Sequence, residues 1–183
     1  SERSRGLGDV YKRQPRKKEN MTIKVGDKIT NEPLTIPSKE KGAVPLNLEE
    51  FSKGKKVVVF AVPAAFSPTC SQTHLPGYIE NHDKLKERGI DEIICVSVND
   101  NFVMNAWAAD QKSGDKVILA ADGSAKFTKA VGMDADLEVF GLGVRSKRYS
   151  MLIEDSVVKS INVESKPGQA EDSGAEKMLE IIG

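Results

Sequence analysis

One of the two cysteines in this 183-residue chain sits where chemistry can happen. Cys70 closes the stretch VVVFAVPAAFSPTC, a β-branched run followed by a short polar segment. The run from Val57 to Val62 predicts a strand buried on both faces. The polar segment after it predicts the start of a helix, so Cys70 falls where a buried strand hands over to a helix. In open α/β sheets ligands gather at that end, because helix N-termini point unpaired N–H groups outward there. Ser67 or Thr69 can cap the new helix and Pro68 suits its first turn. A thiol in that turn feels the positive end of the helix macrodipole, which favours the thiolate, the nucleophilic form. The competing reading makes Cys70 a small buried apolar residue, the commonest fate of a free cysteine. Its polar Ser-Pro-Thr-Cys-Ser surroundings favour a reactive thiol at the mouth of a pocket.

Cys95 makes the contrast. It lies inside Ile93-Ile94-Cys95-Val96, where core packing is the better reading. His74 stands four residues after Cys70, one helical turn on, so the two can share a face. A cysteine-histidine hydrolase dyad and a weak metal pair with His82 are both conceivable. Neither is favoured, because no third ligand is evident and the spacing matches no zinc pattern. Local packing or hydrogen bonding is the preferred role for His74.

These residues need a scaffold, and its pattern is that of an α/β fold. TIKVGDKI opens with a turn or short hairpin at Gly26-Asp27, followed by a connector spotted with Pro and Lys. LNLEEFSKGKK predicts a short helix ending at Gly54. Leu75, Ile79 and Leu85 recur at near-helical spacing up to Gly89, with a kink expected at Pro76. EIICVSV predicts a second buried strand, and a helix capped at Asn99 or Asp100 comes next and closes at Gly114. KVILAAD predicts a third strand ending at Asp122-Gly123, and AKFTKAV a short helix. YSMLIEDSVVKSINVE predicts a hairpin turning at Asp155-Ser156. SGAEKMLEII has capping-box spacing from Ser173 to Glu176 and puts Met178, Ile181 and Ile182 on one face. Alternating strands and helices, then a hairpin and a closing helix, argue for a central mixed sheet flanked by helices on both faces.

Bulk properties narrow the function classes. The length suits one domain with a real core. Twenty-seven basic and 27 acidic residues cancel, so nucleic acid and membrane surfaces are not indicated. No apolar run approaches the roughly 18 residues of a membrane span. Two cysteines form no disulfide framework, and a reducing compartment fits them best. Residues 1–20 hold seven Lys/Arg against three Asp/Glu and lack apolar periodicity. They are expected to be a disordered or non-native leader ahead of a domain at 21–183. A transit remnant is the alternative, which Glu2, Asp9 and Glu19 fit badly. The expected location is cytoplasmic, or organellar if the leader is such a remnant.

Pro63-Ala64-Ala65-Phe66-Ser67-Pro68-Thr69-Cys70 resembles the peroxiredoxin active-site pattern Pro-x-x-x-Thr/Ser-x-x-Cys. CSQTHLPGY, CVSVNDNFV, KRYSM and INVE resemble its type-five subgroup, called type II in plants. The likeness runs from about Ile23 to the end of the chain. It implies a thioredoxin-like fold and a thiol peroxidase that reduces hydrogen peroxide and alkyl hydroperoxides. It further implies that Cys70 is the peroxidatic cysteine, that the Ser67 hydroxyl bonds the peroxide, that Pro63 shields the thiolate from water and that Arg148 activates it. Spacing alone leaves Arg148 and Arg145 open, and only the resemblance selects Arg148. No cofactor or metal is expected, and a homodimer is implied.

The chain departs from the pattern at Ala64, where Gly is frequent, and at Ser67, where Thr is commoner. No cysteine follows Cys95, so the Cys70 sulfenic acid needs a thiol from elsewhere. Cys95 matches a strand cysteine of many members, but it could resolve Cys70 only after local unfolding. An external reductant is therefore expected, glutaredoxin with glutathione or thioredoxin. Two other classes remain in view: a redox-sensing or holdase-like protein, and a thiol-disulfide oxidoreductase, which the missing Cys-x-x-Cys disfavours.

Overall fold

A computed structural model describes residues 22–166 and 168–183; the expected leader at 1–20 lies outside them. The chain-order elements are β1 (Leu34–Ser38), β2 (Gly42–Leu46), α1 (Leu48–Phe51), β3 (Lys56–Val62), a π-helical turn (Cys70–His74), α2 (Leu75–Glu80) and α3 (His82–Glu87). They continue with β4 (Glu92–Ser97), α4 (Asn101–Gln111), β5 (Ile118–Ala121), α5 (Lys126–Ala130), β6 (Asp134–Asp136), β7 (Val144–Ser146), β8 (Tyr149–Glu154), β9 (Val157–Val163) and α6 (Ala175–Ile182).

The strands form a seven-stranded mixed sheet in the order β2-β1-β5-β4-β3-β8-β9, and β6 and β7 make a separate two-stranded ribbon. β3 runs parallel to β4 and antiparallel to β8. Side-chain alternation along the buried central strands builds a core on each face. Val58, Phe60, Val62, Ile93, Cys95 and Leu119 pack under α2, α4 and α6, together with Cys70. Val57, Val59, Ala61, Ile94, Val96 and Tyr149 pack against Phe127 of α5 and Leu48 of α1 on the other. The expected mixed sheet with helices on both faces is therefore present. No helix among the described residues is long and apolar enough to cross a membrane.

Several local expectations hold for physical reasons that can be named. The β8–β9 hairpin turns at Asp155 (φ 49) and Ser156 (φ 67), two left-handed residues as a type I′ turn requires. Asp100, not Asn99, caps α4 by accepting from the Val103 N–H at 2.9 Å.

Others are corrected. α4 ends at Gln111, three residues before Gly114, because Lys112 itself takes the left-handed conformation. Pro76 falls in the first turn of α2. The chain widens one turn earlier, where the Leu75 N–H reaches back to the Cys70 carbonyl across the π-helical turn, and the axis breaks later at Asn81. Helix α6 starts at Gly174 with no side-chain cap. Ser173 gives its hydroxyl to Glu164 Oε2 at 2.6 Å instead, so no capping box forms. Ala175, Met178 and Leu179 are the buried residues of α6, with Ile182 packed against the same core, while Ile181 faces outward.

The β1–β2 hairpin was hidden by prolines. Pro45 sits in the edge strand β2, where no ladder donor is missed. Pro37 lies beyond the single register pair that joins β1 to β5. The ribbon β6–β7 is too short and too acidic at its first strand to register as a strand pattern.

Candidate active site

The site grows out of the carboxyl end of β3. The chain leaves the sheet at Pro63, turns through Ala64 and Ala65, and passes Phe66, a left-handed residue at φ 64 whose ring is about half exposed. Asn99, at the corresponding end of β4, accepts the Ala65 N–H at 3.0 Å and ties this loop to the next strand. Helical conformation begins at Pro68, with the Ser71 N–H donating to the Ser67 carbonyl at 2.9 Å. Pro68 thus occupies the first turn, where its missing N–H costs nothing.

Neither expected side-chain cap forms. The Thr69 hydroxyl donates to the Gly168 carbonyl at 3.1 Å. The Ser67 Oγ lies 2.8 Å from the Ala64 carbonyl oxygen and 2.8 Å from Cys70 Sγ. A carbonyl can only accept, whereas a hydroxyl carries one proton and can also accept. With a thiol, S–H can donate to Ser67 Oγ while its O–H points to Ala64. With a thiolate, the hydroxyl proton turns to the sulfur.

Arg148 supplies the cation. It links β7 to β8, its accessible surface is 4%, and its Nη2 donates to Cys70 Sγ at 3.1 Å. Register explains the direction. Tyr149 pairs with Ala61 on the antiparallel β3–β8 ladder and faces the opposite core, so the preceding residue projects toward the face holding Cys70. Arg145 goes elsewhere, donating to the Leu142 carbonyl at 2.8 Å and to the Val98 carbonyl at 2.5 Å.

His74 is buried between Arg148 and the segment before α6. Its Nδ1 lies 3.0 Å from Arg148 Nη1 and its Nε2 lies 3.0 Å from the Ser173 carbonyl. Guanidinium is always charged and can only donate, so Nδ1 must accept and the ring proton must sit on Nε2, donating to Ser173. Burial, helped by the Arg148 charge and opposed by the Ser173 bond and Glu164, lowers the His74 pKa from 6.5 to about 3. The imidazole is neutral across the physiological range. Both ring nitrogens are engaged away from Cys70, which removes the cysteine-histidine dyad and the metal pair with His82. The His82 ring instead meets Asp83 at 2.9 Å. The local role preferred for His74 holds for packing, its ring lying 5.8 Å from that of Tyr78 one turn on, but not for hydrogen bonding, whose partners are 74 and 99 residues away.

One expectation about the sulfur fails. Cys70 is not at an open mouth: its accessible surface is 0%, among Val62, Leu75, Tyr78 and Trp107. The polar neighbours that suggested exposure, Thr69 and Ser71, have other partners: the Thr69 hydroxyl donates to Gly168, and the buried Trp107 indole Nε1 donates to Ser71 Oγ at 3.0 Å. A groove of about 570 Å³ between Gln72, Pro76, Glu80, Ala170 and Glu176 lies on the outer side of the same helix and includes neither Cys70 nor Arg148. Pro63 is half-buried at the exit of β3. Cys95, on the same sheet face, has its thiol pushed well up, chiefly by burial and further by the neighbouring Cys70, with Arg148 a partial offset.

A buried sulfur in contact with a guanidinium and a hydroxyl can hold negative charge without water. Donors fixed in this way also suit charge that moves from sulfur to an attached oxygen.

The chain matches the Redoxin family over residues 24–179. It is 46% identical over 165 residues to peroxiredoxin-2E-2, chloroplastic, of Oryza sativa subsp. japonica, covering 88% of this chain and 73% of that protein. It is 41% identical over 160 residues to peroxiredoxin-2B of Arabidopsis thaliana, covering 87% and 98%. The crystal structure of reduced Prx3 in complex with H2O2 from Vibrio vulnificus superposes with a TM-score of 0.83 at 47% identity, covering 88% of this chain and all of the other. The chain belongs to the redoxin family and, within it, to the type II peroxiredoxins, which are thiol peroxidases.

Proposed function

We propose that Cys70 is the peroxidatic cysteine of a peroxidase for hydrogen peroxide and alkyl hydroperoxides. The Cys70 thiolate attacks the nearer peroxide oxygen, the O–O bond breaks, and the departing alkoxide or hydroxide takes a proton to leave as alcohol or water. Cys70 becomes a sulfenic acid. Arg148 follows the charge from sulfur to the leaving oxygen, Ser67 gives its hydroxyl to the peroxide in place of the sulfur, and Pro63 keeps water from the thiolate. The observation that carries this reading is the convergence of the Ser67 hydroxyl at 2.8 Å and the Arg148 guanidinium at 3.1 Å on one sulfur.

A thiol then condenses with the sulfenic acid, releasing water, and a second thiol frees Cys70 as the external disulfide leaves. With Cys95 held inside β4 and its thiol poorly ionised, the reductant is glutathione with glutaredoxin, or thioredoxin. A reducing compartment such as the cytoplasm suits this cycle. The protein acts as a homodimer, for which exposed Phe66, Phe102, Val139 and Phe140 offer apolar surface. Sedimentation at micromolar concentration tests that assembly, and a monomer would oppose it.

Mass spectrometry after one equivalent of hydrogen peroxide tests the core of the reading. Sulfenic acid at Cys70 without glutathione, and a glutathione adduct at Cys70 with it, are expected. An unmodified Cys70 while peroxide is consumed would sink it, and a Cys70–Cys95 disulfide as main product would replace the external reductant.

A further inference from the structure

A closed circuit of hydrogen bonds begins and ends at Arg148. The Arg148 carbonyl accepts the Glu164 N–H at 2.9 Å. The Glu164 carboxylate gathers the N–H groups of Glu171, Asp172 and Ser173 at 3.2, 3.1 and 3.0 Å and the Ser173 hydroxyl at 2.6 Å. The Ser173 carbonyl, held in place by those bonds, accepts from His74 Nε2 at 3.0 Å and from the Tyr78 hydroxyl at 2.7 Å. His74 Nδ1 then meets Arg148 Nη1 at 3.0 Å, and Nη2 of the same guanidinium bonds Sγ. The segment closing the circuit is folded tightly: a Cβ at residue 174 would lie 2.6 Å from the Ala170 carbonyl oxygen, so Gly174 is required there.

We propose that His74 is a positioning residue of the peroxide reaction, presenting Nδ1 as a fixed acceptor that aims the Arg148 guanidinium at sulfur, and that Glu164 sets the His74 tautomer through the Ser173 carbonyl. The inference rests on the reading of Cys70 and Arg148 proposed above. A long flexible arginine has several staggered rotamers, and a buried one needs acceptors to select among them. Nδ1 occupies one Nη and leaves the other for sulfur. Imidazole suits this task where a carboxylate does not. It is neutral in this site, so it directs the guanidinium without cancelling the positive charge that the thiolate and the leaving oxygen need. The carboxylate is placed a step back, where it orders backbone groups and touches neither the sulfur nor, with its side chain, the guanidinium. The roles are graded by distance from sulfur: Arg148 touches it, His74 touches Arg148, and Glu164 acts through Ser173.

The two amide replacements of His74 discriminate this role from simple packing. In His74→Asn the Oδ1 can stand at the Nδ1 position and still accept from Arg148. In His74→Gln the amide reaches the Nε2 position and still donates to Ser173, but the acceptor that His74 offers Nη1 of Arg148 is gone. Stopped-flow oxidation by hydrogen peroxide, read by fluorescence of Trp107 and by trapping of the sulfenic acid, gives the rate for each. His74→Gln should be slower by on the order of a hundredfold, the scale of losing one aligned donor. His74→Asn should stay within about tenfold of wild type, and Glu164→Gln, with one acceptor oxygen for four donors, should lose about tenfold. In an Arg148→Gln background the two His74 variants should become equal, because residues acting in series are not additive. Equal loss in both His74 variants with Arg148 present, or additive losses in the double variants, would overturn the proposal. A readout without turnover separates it from the reading it rests on: imidazole 15N NMR of the resting protein should show Nδ1 bare and Nε2 protonated. The opposite tautomer overturns the positioning role even if Cys70 is oxidised normally. If Cys70 is not oxidised in the wild type, the catalytic reading fails instead.

Discussion

Cys70 and Cys95 are alike in burial, in being unpaired and in the layer they occupy. Both are free, both have 0% accessible surface, and both pack in the same apolar layer on one face of the sheet. They differ in what touches them. Cys70 begins a π-helical turn at the end of β3, where Ser67 and Arg148 meet its sulfur, while Cys95 lies mid-strand across from Phe60 with its thiol held protonated by burial. Burial therefore does not separate the two thiols. Directed donors do, and a low-dielectric setting makes them count for more than they would in water.

The sharpest way to break the comparison is to exchange sulfur for oxygen at each position. Cys70→Ser should abolish peroxide reduction, since an alcohol at neutral pH is no nucleophile toward an O–O bond. Cys95→Ser should keep most of it when glutaredoxin and glutathione are supplied. Peroxide consumption by both variants is the measurement, and equal loss would make Cys95 a participant in turnover.

Removing the donor but leaving the sulfur comes next. Arg148→Gln should lower the rate constant for hydrogen peroxide by about 10²–10³, the range for deleting one preorganised donor to a developing anion. Arg145→Gln, whose guanidinium serves the Leu142 and Val98 carbonyls, should change it little. If the two variants lost equally, the specific contact of Arg148 with Sγ would not be what matters.

How far the sequence led can be read from these same residues. Cys70 stood out as a candidate because a β-branched run followed by Pro, Ser and Pro is a local signal. So were β3, β4 and the β8–β9 hairpin, whose periodicity and turn residues are also local. The contact of Arg148 with the Cys70 sulfur could be anticipated only through likeness to a family, since choosing it over Arg145 requires the register of β8 on β3. Glu164 and Ser173 carried no signal for the site. Ser173 even carried a false one, because the capping-box spacing to Glu176 is satisfied in sequence while its hydroxyl is claimed by Glu164. The β1–β2 hairpin was concealed by its prolines, which are tolerated because of where the strands sit in the sheet. Contacts that depend on which strand lies next to which are not written in any short window.

Acid sharpens the comparison in a graded way, because His74 must stay neutral for Arg148 to stay aimed. Its folded pKa, about 3, lies below its ordinary value of 6.5, so the unfolded chain binds the proton more readily. The stability this represents is complete above about pH 6.5 and is lost progressively as pH falls toward 3. Glu164 adds to the lower part of that window. Burial works to raise its carboxyl, but the hydrogen bonds from Ser173, Asp172 and Glu171 outweigh it and hold it below the usual carboxylate range. Its contribution is likewise present above the unfolded value and lost on acidification. Urea midpoints between pH 7 and 4 should fall more steeply in wild type than in His74→Asn, by at most about 1.4 kcal/mol per pH unit for one proton. Parallel slopes would mean that His74 is not the group being titrated.

The smallest expected effect concerns one methyl group. Ser67 Oγ has two partners at equal distance, the Ala64 carbonyl and Cys70 Sγ, and a single proton to share. A serine can rotate between orientations that favour one or the other, whereas threonine is confined at χ1 by its branched β-carbon. Ser67→Thr should therefore hold the hydroxyl more firmly at the sulfur and raise the rate by no more than a few-fold, on the order of 1 kcal/mol or less. Ser67→Ala should go the other way and by more, because it removes the hydroxyl that meets the sulfur. Comparing both with Cys95→Ser, which leaves that hydroxyl untouched, isolates what it does at the sulfur. If threonine slows the reaction as much as alanine does, the methyl collides with the Ala64–Phe66 turn, and close packing of the loop outweighs rotamer order at this position.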